Sequence, residues 1–444
     1  MPARLRALVV AYNYPPVGGA GVQRMSKLVR YLPSHGVAPS VLTVANPSVP
    51  VRDASLEGDL PSEVEVVRAR TFEPGYAMKQ AAWTASAQPP TPMRRAIGLF
   101  SGAAKAMLVP DPQVLWLPAA ELAMLGRLRK RRDDAILVSG PPFSQFLLAP
   151  LARARRRVGI VLDYRDEWST YRTTYEMTGS RVARFVGDVL EPALLRCAHR
   201  ITTATEEFRE ELLRRHRFLS PEQVVTIPNG YDPADFPANL PDPPADRFVA
   251  TYAGTVFKLT SARGLLGAIR RLHTHEPELA RLLHVRFLGR IVDTERHLFE
   301  GTEALNVTTH GYVPHDEVVT SLSASHLTLC LLDDVAGVER IYPAKIFELM
   351  HLGRPVLTLA PEGALTRLAR RHAMGDVIAP RDEAAIAASL AASIRAFRDA
   401  PRGAHAARTV PKGAELYDRR ALAGRFAGVL RQAVSDANHG GPAA

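Results

Sequence analysis

Lys345 and Glu348 stand three residues apart in the stretch RIYPAKIFELMHLGRP, residues 340–355. On a helix that spacing puts an ammonium and a carboxylate on one side. The helix is legible: Ile346, Phe347, Leu349 and Met350 give an apolar face, Pro343 suits the first turn, and Gly353 and Pro355 stop it. Arg340 precedes it in the loop. A cation near a helix N-terminus opposes the macrodipole unless an anion joins them. Arg340, Lys345 and the N–H groups after Tyr342 therefore read as a phosphate seat. Glu348, one turn deeper, suits paired hydroxyls such as those of a ribose. The same residues also read as an ordinary i,i+3 ion pair on a solvated face, worth about 0.2–0.5 kcal/mol. Spacing leaves both readings open.

The elements that would position these groups alternate along the chain. The apolar run Leu5–Ala11 enters YNYPPVGGAGVQR, and an amphipathic run follows from Val22 to Gly36. Strand, Gly loop and helix open a nucleotide-binding type of unit. Gly19 and Gly21 suit a tight turn or a close backbone approach to a ligand. Arg24 stands where a dinucleotide fingerprint has its third glycine, which argues against NAD and leaves Arg24, beside Gly19 and Gly21, as a candidate substrate-binding residue of this loop. Candidate strands follow at Pro39–Val44, Val64–Arg68, Asp134–Ser139, Val158–Asp163 and Arg200–Thr205. After the Pro-rich stretch PANLPDPPADR the pattern starts again at Phe248 and recurs at Leu283–Gly289, Asn306–Gly311, His326–Leu332, Pro355–Ala360 and Asp376–Ala379. Such alternation on both sides of a linker implies two doubly wound α/β domains with a cleft between them. The expected domains are 1–236 and 248–412, with 237–247 as linker and a last helix with a short tail over 413–444.

Open α/β sheets bind ligands at the C-terminal ends of their strands. The turns there carry SGPPFSQF, DYRDEWST with Asp166, IPNGYDPADF with Asn229, Gly254-Thr255 followed by Lys258, FLGR with Arg290, and HGYVPHDEV with Val313. His315 and Asp316 have no spaced partner that would make a metal site, so no metal or other cofactor is expected.

Composition bounds the reading. The 444 residues are 46% hydrophobic and 23% charged, a globular balance with room for two or three domains. The net charge of +11 suits anionic partners: nucleotides, nucleic acid or acidic lipid. The two cysteines, Cys197 and Cys330, sit in apolar runs, which favours a reducing compartment over a disulfide framework or zinc. The run LRALVVAY is too short for a signal peptide, and no stretch approaches the roughly 20 apolar residues of a membrane span. Met93–Val109 reads either as a core helix or as an interfacial membrane helix, and the clusters RLRKRR (127–132) and RARRR (153–157) could face anionic lipid.

Taken in order, the phrases PPVGGAGVQR, SGPP, DYRDEW, PNGYD, HGYVP and PAKIFE resemble the retaining glycosyltransferases of family four, which have the GT-B fold. DxRD-W resembles a capsule- and O-antigen-type subgroup, and so does PDPQVLWLPAAELA with Asp111 and Trp116. The resemblance implies two Rossmann-like domains, a nucleotide-sugar donor carrying UDP or GDP, and a glycan or lipid-linked acceptor. It implies retention of configuration, no obligatory metal and no nucleic-acid partner. It puts Lys345 on the diphosphate, Glu348 on the ribose, Lys258 near the diphosphate, the backbone around Val313 on the base, Gly19 and Gly21 near the donor, Asn229 at the cleft and Asp166 near an acceptor hydroxyl. The chain departs from the family twice. The usual Glu, seven residues, Glu pattern has Arg340 first, with Glu339 one residue away, and Phe146 stands where relatives often carry a sugar-facing His. Those departures also suit a donor-binding scaffold without turnover. A nucleotide-sugar 2-epimerase on the same fold would need acid–base groups that SGPPFSQF lacks. The expected location is cytoplasmic, with peripheral contact at the membrane's inner face.

Overall fold

The computed structural model describes residues 4–18, 20–49, 61, 63–76, 78, 108–155, 157–168, 181–401 and 408–439. Gly19 and most of the expected Met93–Val109 helix lie outside them. The chain forms two compact units. The first holds Met1–Ala204, Phe208–Pro228 and Arg419–Ala444, and the second Thr205–Glu207 and Asn229–Asp418.

The first unit is built on β1 (Leu5–Val10), β2 (Val37–Val44), β3 (Glu65–Ala69), β4 (Ala135–Gly140), β5 (Gly159–Tyr164), β6 (Arg200–Thr203) and β7 (Val224–Thr226). They pair in the order β3-β2-β1-β4-β5-β6-β7, every pair parallel. A parallel sheet is covered on both faces, so its inner strands read as unbroken apolar runs. In β4 (AILVSG) and β5 (GIVLDY) every residue is buried. The crossovers include α1 (Ala20–Tyr31), α2 (Leu117–Arg129), α3 (Leu148–Arg155), α4 (Arg181–Cys197) and α5 (Glu206–Arg215).

The second unit has β8 (Phe248–Ala253), α6 (Arg263–His275), β9 (Leu283–Leu288), β10 (Val307–His310), α7 (His315–Ser323), β11 (Leu327–Leu331), α8 (Lys345–Leu352), β12 (Val356–Leu359), α9 (Ala364–Arg371), β13 (Val377–Ile378) and α10 (Glu383–Asp399). Its sheet order is β10-β9-β8-β11-β12-β13, again all parallel. The last helix, α11 (Arg419–His439), returns to the first unit. There it packs so closely on β5 that a Cβ at Gly159 would come 2.7 Å from the backbone nitrogen of Val434.

Each sheet reverses its direction of winding once, between β1 and β4 and between β8 and β11. The loops part at such a reversal, and a ligand can enter outside the strand ends.

Several expectations shift. Helices α3 and α9 were not legible in the sequence. Pro343 precedes the N-cap Ala344 of α8, and its carbonyl accepts from Ile346 N–H at 3.0 Å. The units divide at Pro228/Asn229 and Asp418/Arg419, whereas composition pointed to 237–247. That Pro-rich stretch is tied into the second unit instead: Pro241 O accepts from Ser323 at 3.1 Å, and Asp242 pairs with Arg354 at 3.1 Å.

Arg24 is a further correction. Its side chain is 2% exposed, beneath the ends of the first sheet. Its guanidinium donates to both Asp163 carboxylate oxygens at 2.8 and 3.2 Å and to the carbonyls of Ile227 and Pro228, each at 2.8 Å. Asp163 also accepts from Ser139 and Thr202 hydroxyls, both at 2.7 Å. Arg24 thus joins α1 to the ends of β5 and β7, with its guanidinium committed to the protein's own acceptors. Burial pulls the Asp163 pKa upward, but Arg24 and the two hydroxyls outweigh it and hold the carboxyl below its usual range.

Removing one partner of a buried pair leaves an uncompensated charge, so Arg24→Met should cost about 3–5 kcal/mol in urea unfolding. Because the folded pKa of Asp163 is depressed, its contribution is present above the unfolded carboxylate pKa. It is lost as pH falls through the lower folded value. The gap between wild type and Arg24→Met should therefore narrow in acid. A variant that unfolds at the wild-type urea midpoint would return Arg24 to a ligand-binding role.

Candidate functional site

Within the second unit, the reversal between β8 and β11 brings the first strand's terminal loop against the helix that follows β11. Two glycines let the backbones meet. Gly254 has φ +134°, and a Cβ there would sit 3.0 Å from the Lys345 ammonium. Gly289 has φ +130°, and a Cβ there would come 2.4 Å from the Gly254 carbonyl oxygen. Both conformations strain any other residue.

Lys345 opens α8 and reaches back to β8. Its Nζ donates to Ala253 O at 2.9 Å and lies 3.5 Å from the centre of the Tyr252 ring. Tyr252 is anchored in turn by its hydroxyl on Thr255 O at 3.0 Å. Thr255 O also accepts from Thr260 at 2.7 Å, so the loop is held through its backbone while the Thr255 residue stays exposed. An ammonium has three donors, and one is taken by the Ala253 carbonyl.

Glu348 faces elsewhere. Its Oε1 lies 3.3 Å from Nε2 of His315, the first residue of α7. The Glu348 side chain is 18% exposed and that of His315 is 36% exposed. The i,i+3 ion pair that spacing allowed is therefore not formed; ammonium and carboxylate serve different neighbours. Val313, just before α7, packs into the apolar cluster beneath α8, and Tyr312 beside it is 67% exposed. Tyr342 is half-buried, edge-on to Phe347 at 5.7 Å, and burial raises its pKa.

Arg340 ends the short turn Val338–Arg340 and pairs with Glu339. That turn is pinned from below, since a Cβ at Gly363 would come 2.4 Å from Glu339 O. The Glu339 backbone thus lies close against Gly363, while its side chain is 44% exposed and one residue out of register. Exposed Lys258 and Arg263 line an open cavity of about 310 Å³ with Ser261, Glu295, Asp333 and Arg381. Within it Asp333 pairs with Arg381 at 3.0 Å and Ser261 donates to Glu295 at 2.6 Å. Arg263 was missed in the sequence because it reads as an ordinary exposed residue at the start of α6. Arg290 is exposed at the end of β9, and its carbonyl accepts from Val256 N–H at 2.8 Å. Asn229 is half-buried at the start of the second unit's main segment.

The first unit gathers Gly21 and Asp166 around the reversal between β1 and β4. Arg165 donates to the carbonyls of Gly21 and Pro141, and its backbone N–H to Gly140 O at 3.0 Å. A Cβ at Gly21 would come 3.2 Å from that guanidinium. Asp166 is partly exposed; burial raises its pKa, opposed by Arg165 and Arg24 and assisted by Asp163. Phe146 is fully buried among Phe143, Tyr164 and Trp168. Asp111 and Trp116 are scaffold: the Asp111 carboxylate accepts from Phe143 and Ser144 N–H at 2.7 and 2.9 Å, and the Trp116 indole donates to Ala69 O at 3.1 Å. Among the described residues no group of three His, Cys, Asp or Glu is arranged to hold a metal ion.

Residues 18–230, just under half of the chain, match the family model described as Glycosyl transferase 4-like domain. No curated protein sequence matches the chain significantly. Among solved structures, a sucrose-phosphate synthase of Thermosynechococcus elongatus is similar at TM-score 0.62 and 17% identity, over 97% of this chain and 99% of that one. The Anabaena protein HepE, in complex with UDP and glucose, is similar at 0.60 and 14%, over 96% and 99%. An α,α-trehalose-phosphate synthase (UDP-forming) of Burkholderia vietnamiensis is similar at 0.59 and 11%, over 98% and 99%. At these identities the structural likeness concerns the fold: two Rossmann-like α/β domains with parallel sheets of seven and six strands, the GT-B arrangement.

Proposed function

We propose that the protein transfers a sugar, a hexose or N-acetylhexosamine, from a UDP- or GDP-linked donor to a glycan or lipid-linked acceptor, with retention. The observation that carries this is the division of labour on α8: Lys345 held at the end of β8, and Glu348 one turn on, turned toward α7. An ammonium beside glycine backbone suits a diphosphate, and a mostly buried carboxylate suits a pair of ribose hydroxyls. The donor lies on the second unit, with Thr255, Lys258, Arg263 and Arg290 on the loops around the diphosphate, the backbone at Val313 by the base, and Tyr342 and Asn229 at the margin. The Anabaena relative's complex with UDP and glucose supports this class of ligand. The first unit takes the acceptor, with Gly21 and Asp166 at its loops, and the fully described phrase SGPPFSQF offers no histidine.

As the glycosidic bond breaks, negative charge grows on the leaving diphosphate. Lys345, Arg340 and the start of α8 offset it in place. The departing phosphate oxygen then takes the acceptor proton on the same face of the sugar, which needs no separate general base and no metal. Glu339 out of register and Phe146 in the core favour one rival, a donor-binding scaffold; binding without turnover would identify it.

The acceptor side meets an anionic membrane surface. The first unit holds 35 of the 56 Lys and Arg but 20 of the 45 Asp and Glu, a formal net charge of +15. On α4, Phe185 and Val189, four residues apart, are 69% and 56% exposed. Nearby the Arg196 guanidinium lies 3.9 Å over the ring of exposed Phe218. Apolar groups flanked by cations suit a lipid headgroup boundary. Among the described residues no helix is long and apolar enough to cross a membrane, so contact would be peripheral. Free cysteines Cys197 and Cys330 support a cytoplasmic location.

Lys345→Ala should lower kcat about 100–1,000-fold, and Asp166→Asn far less, in a sugar-transfer assay. Chelators should leave the rate unchanged, and NMR of the new linkage should show the donor's anomeric configuration. An inverted product would require a general base, with Asp166 the first to test. At the membrane, the double change Phe185→Ser with Val189→Ser should weaken co-sedimentation with anionic vesicles. The wild-type chain should bind these better than neutral vesicles, and less so in high salt. Equal binding of wild type and double variant would remove α4 from the contact.

A further inference from the structure

We infer that His315 is a positioning residue for the ribose-binding carboxylate, a role that rests on the donor site proposed above. His315 is the first residue of α7, immediately after Pro314. Its Nε2 lies 3.3 Å from Oε1 of Glu348. Lys345, which could have paired with Glu348 three residues on, is committed to Ala253 O and the Tyr252 ring. His315 is therefore the side chain set against the Glu348 carboxylate among the described residues.

A glutamate with three rotatable bonds adopts many rotamers unless something holds it. Here the contact engages one carboxylate oxygen and leaves Oε2 for the diol. Ordering the carboxylate before the nucleotide arrives removes a cost that binding would otherwise bear. Because α7 follows the loop of Tyr312 and Val313, the same histidine links the carboxylate's orientation to the loop proposed to meet the base. A solvated histidine that merely neighbours Glu348 would have no such consequence.

The experiment is calorimetric titration of the full chain with UDP, GDP and ADP, each beside its 2′,3′-dideoxy form. For the nucleotide that binds, wild type should prefer the ribose form by roughly ten- to a hundredfold, as charged hydrogen bonds allow. Glu348→Gln should reduce most of that preference. His315→Ala should narrow it roughly two- to tenfold, the cost of one side chain left for the ligand to order. His315→Gln, whose amide can reach the same oxygen, should restore it. If His315→Ala keeps the full preference while Glu348→Gln loses it, the donor site stands and the positioning role falls. Failure of His315→Gln to restore the preference also overturns the role. If Glu348→Gln keeps the preference, or none of the three nucleotides binds, the donor site itself is wrong.

Discussion

The structure depends on a constraint that each sheet meets once: where the winding reverses, neighbouring loops diverge and their backbone groups lose partners. The two units answer differently. In the first, the opening between β1 and β4 is stitched by guanidinium groups. Arg165 takes up the carbonyls of Gly21, Gly140 and Pro141, and Arg24 gathers Asp163 with the carbonyls beyond β7. In the second, a single ammonium bridges β8 and α8. Arginine's planar fork fills an opening with several fixed bonds, whereas a lysine makes one bond and keeps donors in reserve. The first opening is thus more closed by its own side chains, and the second retains hydrogen-bonding capacity.

That difference explains the separation of Lys345 from Glu348. Were they paired, each would neutralise the other and offer little to a ligand. The ammonium is instead drawn off by Ala253 and Tyr252, and the carboxylate by His315. Gly254 is what permits it: a side chain there would displace the ammonium. A glycine far away in sequence thus determines what α8 can present.

The strands were legible because parallel sheets need continuous apolar runs, and most runs here stop at Gly, Pro or Asp. Helix α3 was hidden by the basic run RARRR, which reads as surface, and α9 by its brevity and its three arginines. The residues of α8 were legible from local spacing alone, but their partners were not. Ala253 lies 92 residues from Lys345, and His315 lies 33 from Glu348. Arg24 misled for the same reason. In GVQR it reads as a residue beside a ligand loop, and nothing local announces Asp163, 139 residues on. Spacing reveals which groups share a helix face; what each faces is settled by topology.

Charge makes the same point at a larger scale. The chain's net +11 suggested an anionic partner, but the charge is concentrated in the first unit, and the second has 21 Lys and Arg against 25 Asp and Glu, a net of −4. If the second unit binds the nucleotide, it does so against its own net charge. The attraction must then be local, because fields beyond about 8–10 Å are screened at ordinary ionic strength. The groups that matter are those on the loops after β8 and β11: Lys258, Arg263, Arg340 and Lys345. Of the first unit's arginines, Arg24 and Arg127 are spoken for by Asp163 and by Asp133 with Glu65. Others are paired as well, Arg6 with Asp134, Arg200 with Asp436 and Arg215 with Glu167, so it is the unit's overall excess of cations that suits a broad anionic partner. A pI read from the whole chain therefore describes the unit that takes the acceptor in this proposal, and says little about the nucleotide.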